Sequence, residues 1–154
     1  MATLTSTITE TVTLNGKERG SEISLDIASV TQVMHRIVTC PANEDSTVAN
    51  FHSATNISDN AIAVGDVKYV RVTNLDGSNP VNLSLQVDAG TDTAADESAT
   101  ILLAAGRSFV MGAVDDAIAV SDANADIVTS LHDLESILID PLANAVAVEV
   151  FIAS

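Results

Sequence analysis

Apolar residues recur at every second position through much of this chain, the spacing of an extended strand rather than a helix. Leu4, Ile8, Val12 and Leu14 share one parity, while Thr3, Thr5, Thr7, Thr9, Thr11 and Thr13 take the other, which predicts a long N-terminal strand with one face buried. Asn15-Gly16 then supplies a pair that accepts the positive φ of a tight turn, and Ile23, Leu25 and Ile27 resume the alternation. These two segments are expected to form a hairpin. Val33 to Cys40 reads as a further strand, ended by Pro41, which lacks a ladder donor.

Val48 to Ser53 is a short strand candidate, and Val67 to Thr73 is a clear one. Asn74-Leu75-Asp76-Gly77-Ser78-Asn79-Pro80 is dense in turn chemistry, and Val81, Leu83, Leu85 and Val87 alternate after it. The two flanking strands are expected to pair as a second hairpin. Asp88 to Ser98 reads as a solvated loop. Ala99 to Leu103 and Ser108 to Met111 read as short strands interrupted at Gly106, and Ala117 to Val120 as another. Ile127, Leu131, Leu134 and Leu138 have helical spacing, but Leu134 to Ile139 fits a strand equally well, and the strand is preferred. Beyond a turn at Pro141 to Asn144, Val146, Val148, Val150 and Ile152 alternate without a break. Short strands separated by turn signals predict an all-β fold: one antiparallel β-sandwich over residues 1–154, a jelly roll being one form of it. On that parity Val148→Asp should be costly and Glu149→Lys, on the opposite face, mild.

Composition narrows the function classes. The 154 residues are 47% apolar but only 3% aromatic, so the core must be built from Val, Ile, Leu and Ala rather than around an aromatic-lined cavity. Six basic residues stand against 21 acidic ones, a net charge of −15. Lys17, Arg19, Arg36, Lys68, Arg71 and Arg107 form no basic stripe in sequence, so no nucleic-acid partner is expected. The same sign disfavours anionic membrane surfaces, and no apolar run approaches the roughly 20 residues of a spanning helix. The opening residues lack the basic and apolar regions of a secretory signal, so synthesis and folding in a cytoplasm are the expectation. A mean hydropathy of +0.32 beside this charge suggests apolar surface destined for a subunit interface.

Candidate chemistry is sparse. His35, His52 and His132 have neither i, i+4 nor HExxH spacing, and no GxSxG, GxxxxGK or GxGxxG sequence occurs, so no enzyme activity and no cofactor are expected. Cys40 stands alone and reads as a small buried residue. Asp115-Asp116 are neighbours on an extended chain and point apart, poorly placed to share a proton. Asp122, Asn124 and Asp126 have the D-x-N-x-D spacing of calcium loops, with Asp133 at the last ligand position. Ile127 stands where that loop needs glycine, and Asp133 is shorter than the usual glutamate, so these four are weak calcium candidates beside the plainer reading of an Asx-rich loop.

The stretches Tyr69 to Asp76, Val81 to Leu83 and Leu103 to Val110, with the ending Val148 to Ser154, resemble the small β-rich virion proteins of tailed bacteriophages. The resemblance implies a non-enzymatic virion component: a capsid decoration or cement protein, or a tail or neck subunit. Its partners would be a major capsid or tail protein, with a homo-oligomer or many copies on a lattice. Contacts would use neutral strand faces, with Asp88 to Glu97 and Asp115 to Asp126 outward and the strand from Ala2 to Leu14 reaching a neighbour. The alternative is a carbohydrate- or host-surface-binding β-sandwich module, for which the chain offers few aromatic platforms.

Overall fold

Along Val81–Asp88 every odd residue is buried and every even one half-buried, and Val146–Ala153 repeats the pattern from Val146 to Ile152. Such strands are stable only where a second layer covers the apolar side. In the computed structural model, which describes residues 1–52, 62–88, 97–120 and 127–154, that layer is a second sheet. The strands are β1 (Ala2–Glu10), β2 (Thr13–Leu14), β3 (Lys17–Glu18), β4 (Ser21–Val30), β5 (Val33–Cys40), β6 (Ser46–His52) and β7 (Ile62–Ala63). A 3-10 turn at Val64–Asp66 precedes β8 (Tyr69–Asn74), β9 (Val81–Asp88), β10 (Glu97–Leu103), β11 (Ser108–Met111), β12 (Asp133–Asp140) and β13 (Val146–Ala153).

One sheet has the order β10-β9-β12-β6-β7 and the other β11-β8-β13-β5. Setting β7 aside, eight strands from β5 onward pair first with last (β5 with β13), second with seventh (β6 with β12), third with sixth (β8 with β11) and fourth with fifth (β9 with β10). That nesting is the jelly roll. All-β and antiparallel, the sandwich agrees with the alternation, and β12 is a strand where the sequence also allowed a helix. Between the sheets lies an aliphatic core that includes Val72, Leu83, Leu134, Ile137, Val148 and Phe51. Cys40 is buried within it, and burial raises its thiol pKa.

Three expectations are corrected. The strands flanking the turn at 74–80 do not pair with each other: β8 belongs to the four-stranded sheet and β9 to the five-stranded one. The physical agent is Asn74, fully buried. Its amide donates to the Asn79 and Leu103 carbonyls at 2.9 and 3.2 Å, and its side-chain oxygen accepts from the Asp76 N–H at 2.9 Å. Asp76 in turn accepts from the Ser78 and Asn79 amides, both at 2.7 Å, so the turn chemistry is spent on a crossover between layers. Ala117 to Val120 is not a strand but contributes one bridge, Ile118 to His132. The N-terminal strand does pair with Ile23 to Ile27 as expected, yet its apolar side is largely uncovered.

Val148→Asp and Leu83→Ala should both lower the urea midpoint strongly, by roughly 3 kcal/mol or more for the buried carboxylate and about 2–5 kcal/mol for the truncated leucine. Leu102→Ala, on the outer surface of the five-stranded sheet, should change stability by about 0.5 kcal/mol or less. Equal shifts for all three would show that the strand faces are misassigned.

Candidate functional site

Residues 1–30 form an arm rather than part of the sandwich, since β1 and β4 pair only with each other. At its tip, Asn15 (φ 53°) and Gly16 (φ 73°) make a two-residue turn between β2 and β3, the geometry that positive φ at both central positions allows. Glu18 accepts backbone N–H bonds from Val12, Arg19 and Gly20 at 3.1, 3.1 and 2.8 Å, which lowers its carboxyl pKa and fixes the tip. Gly20 is required where the chain turns into β4, because a Cβ there would stand 1.9 Å from the Glu10 carbonyl oxygen.

The arm is amphipathic. Register places Leu4 opposite Ile27, Ser6 opposite Leu25 and Ile8 opposite Ile23 on one face. On the other face, Thr5 donates to Asp26 at 2.8 Å, Thr7 and Ser24 share a bond of 2.9 Å, and Thr9 donates to Glu22 at 3.1 Å. The polar face thus satisfies itself, which the alternation of threonines alone did not reveal. Among the described residues the apolar face is anchored at its base, where Leu4 and Ile27 pack with Val30, Tyr69, Ala153 and Phe151 and the Ser6 hydroxyl donates to that of Tyr69 at 3.5 Å. Beyond that, Ile8, Ile23 and Leu25 are 59%, 65% and 58% exposed, and Val12 and Leu14 near the tip are exposed as well. Covering each would contribute about 1 kcal/mol, half the value of a fully exposed aliphatic side chain.

The base is clamped by the last residue. The Ser154 carbonyl accepts from the Thr31 and Gln32 amides at 2.7 and 3.1 Å, and the Ser154 amide donates to the Gln32 carbonyl at 3.0 Å. Ser29, at φ 60°, lies in the bulge between the Ala2–Val30 and Leu4–Ile27 pairs, and its carbonyl accepts from the Lys68 ammonium at 2.7 Å. A groove of about 310 Å³ lies between arm and sheet, bordered by Leu4, Ser6, Tyr69, Arg71 and Phe151.

The outer face of the four-stranded sheet continues from that groove. Glu149 accepts from His35 at 2.7 Å and from Arg71 at 2.7 Å, and these two bonds hold its carboxyl below the ordinary glutamate range. Phe151 is ringed by His35, Tyr69 and Arg71, at 5.9, 6.1 and 5.9 Å from its centroid. Sequence parity puts Glu149 correctly on the outer face, but its bonds to His35 and Arg71, which parity does not show, make Glu149→Lys costly rather than mild. Around the cluster, Val33, Ile37 and Val110 are 54%, 63% and 47% exposed. By contrast, the outer face of the five-stranded sheet carries Asn82, Ser84, Gln86, Thr100 and Asp140, with Leu102 and Leu138 as its apolar members.

Of the weak calcium candidates, Asp122, Asn124 and Asp126 lie outside the described residues. Asp133 opens β12, where it accepts the Asp116 N–H at 2.8 Å and lies beside Asp115. Desolvation, then the charges of Asp133 and Asp116, hold the Asp115 carboxyl above the ordinary range. The partner of Asp115 is therefore the distant Asp133 rather than Asp116 alone, a proximity created by the bridge from Ile118 to His132. Among the described residues no group of three His, Cys, Asp or Glu is placed to hold a metal. A small cavity of about 80 Å³, bordered by His52, Asp88, Asp133 and Glu135, falls below the usual size of a ligand pocket, roughly 300 Å³ and upward. The cations stay dispersed: Arg36 donates to the Val48 carbonyl, Lys68 to Ser29 and Arg71 to Glu149, while Lys17 and Arg19 are exposed at the arm's tip.

Because the Glu149 pKa is depressed in the folded state, the stability it contributes is present above the ordinary glutamate value and is lost as pH falls through the depressed one. Glu149→Gln should therefore melt below the unsubstituted chain at neutral pH, and the gap should close on acidification. Glu149→Lys should melt lower still at neutral pH, because an ammonium would face Arg71. A gap that persists unchanged at acid pH would show that this carboxylate is not the group responsible.

No family model and no curated protein sequence matches the chain. Among solved structures it is similar to a chain from the work described as "Bacillus endospore appendages form a novel family of disulfide-linked pili", with 17% identity and a TM-score of 0.40 over 82% of this chain and 88% of that one.

Proposed function

We propose that this protein is a non-enzymatic structural subunit of a multi-copy assembly, and that its N-terminal arm makes the contact. The observation that carries this reading is the arm's distal face, where Ile8, Ile23 and Leu25 project from a two-stranded ribbon with no core beneath them among the described residues. A two-stranded hairpin is marginal in water, and an apolar stripe on one is a cost until something covers it. Charge supports the same surface. Lys17 and Arg19 against Glu10, Glu18, Glu22 and Asp26 leave the first 32 residues at −2, while the remaining 17 acids and four bases give −13. Contacts between like-charged copies are least opposed where charge is lowest.

The setting we propose, on the resemblance of Tyr69 to Asp76 and Leu103 to Val110, is the virion of a tailed bacteriophage, as a decoration, tail or neck component. The carbohydrate-binding alternative has the groove beside Tyr69 and Phe151 in its favour, but Phe151 is already in contact with His35, Tyr69 and Arg71, which leaves little ring face to present to a sugar.

Ile23→Asp and Ser24→Asp add the same charge at adjacent positions on opposite faces of the arm. When each variant is offered to particles stripped of the protein, Ser24→Asp should rebind and Ile23→Asp should not, with both sandwiches melting alike. Equal rebinding would remove the apolar face from the contact. A mass-spectrometric inventory of purified particles that lacks the chain would remove the virion setting, and glycan binding lost on Tyr69→Ala would favour the alternative.

A further inference from the structure

The outer face of the four-stranded sheet matches the arm in chemistry, length and charge. We infer that the occupant of the arm's distal apolar face is a second copy of this chain, whose β5-β13-β8-β11 outer face receives it; this rests on the assembly reading above and names its partner.

The chain already makes a small version of this contact with itself. At the base, Leu4 and Ile27 of the apolar stripe lie against Tyr69, Ala153 and Phe151 of that same sheet. The rest of the stripe and the rest of the sheet face are both left uncovered, the first at Ile8, Ile23 and Leu25, the second at Val33, Ile37 and Val110. Between these the polar groups of the sheet are already paired: Glu149 with His35 and Arg71, Thr73 with Arg71 and Ser108. An arriving apolar face therefore leaves no lone carboxylate beneath it. The other sheet, with its amides, hydroxyls and Asp140, offers no such surface.

Length agrees. From Ser6 to Leu14 the stripe spans nine residues, roughly 30 Å, and β5 and β13 of eight residues span roughly 27 Å. Direction follows from charge. The receiving face has its own arm's base at the Val33, Ala153 and Tyr69 end, and the turn with Glu44 and Asp45 follows Cys40 at the other. An incoming arm with its tip toward that second end brings Lys17 and Arg19 to Glu44 and Asp45, whereas two arms laid parallel face to face would bring the cations of both tips together. Such a contact joins two different surfaces, so each copy can give an arm and accept one, and the assembly grows as a ring or a chain.

Complementation tests this pairing on the full-length protein. By analytical ultracentrifugation the unsubstituted chain should self-associate in a concentration-dependent way. Ile23→Asp, which spoils the arm, and Ile37→Asp, which spoils the receiving face, should each sediment as monomers. Mixed in equal amounts they should give a dimer and nothing larger, since one intact arm meets one intact face. If Ile37→Asp melts early, Val110→Asp takes its place. A mixture that stays monomeric while the unsubstituted chain assembles overturns the arm-to-sheet pairing and leaves the structural role standing. An unsubstituted chain that is monomeric at every concentration, yet is incorporated into particles through the arm, overturns the second copy as partner and leaves a different protein in that place.

Discussion

One strand, β13, carries the constraint on which the other parts depend. It is paired on both sides, with β5 and with β8, so its register fixes the middle of the four-stranded sheet. Its inward residues Val146, Val148, Val150 and Ile152 close the core, and its outward residues Glu149 and Phe151 build the cluster with His35, Tyr69 and Arg71. The residue just after it, Ser154, holds the arm's base through three backbone bonds. A slip of one residue would exchange the two faces, placing Glu149 in the core and the valines on the outer surface. Core, surface cluster and arm position are thus consequences of a single period-two pattern.

Much of this was legible in the chain. Alternation located the strands, because a two-layer fold buries one parity and leaves the other at the surface, and Asn15-Gly16 announced the tight turn with the geometry it has. Less legible was which strands pair. The turn at 74–80 has the composition of a hairpin loop, but composition gives the chain's change of direction and not the sheet it enters next. That was decided by Asn74, whose amide finds the Leu103 carbonyl from a residue 29 positions away. The arm was misread for a related reason. Alternation says that two faces differ but not that either is covered, and among the described residues no layer lies over Ile8 and Ile23. The Glu149 cluster was invisible because its partners, His35 and Arg71, come from strands far apart in sequence and join only through register.

The distribution of charge separates two tasks. Acidic residues are spread in proportion to length, with 4 of the 21 in the first 32 residues, so the arm's lower charge comes from Lys17 and Arg19. Several acids elsewhere are engaged locally, Asp76 with its turn amides, Asp133 with the Asp116 amide and Glu149 with His35 and Arg71. A sandwich of this charge is held apart from its neighbours by general repulsion, which keeps contacts from forming indiscriminately. Against that background a ribbon of −2 with cations at its tip is the surface least opposed by the field. Repulsion over most of the molecule and apolar contact over a small part of it would together make the proposed interface selective, since the unfavourable term removes the alternatives.

Folding and assembly are then linked through the arm's own stability. Eight register pairs between β1 and β4 and a self-satisfied polar ladder hold the ribbon's shape, while the sandwich anchors its apolar face at the base, through Leu4 and Ile27. The distal half depends on cross-strand bonds open to water, which contribute little net free energy each. Its opening is therefore governed by local contacts rather than by the global stability of the sandwich. In the proposed assembly, covering Ile8, Ile23 and Leu25 would stabilise the closed ribbon alone, so that binding and ordering of the arm would reinforce each other. A partner-free arm that is extended by its hairpin, yet not tied down along its length, keeps the apolar stripe presented in the register in which it would be received.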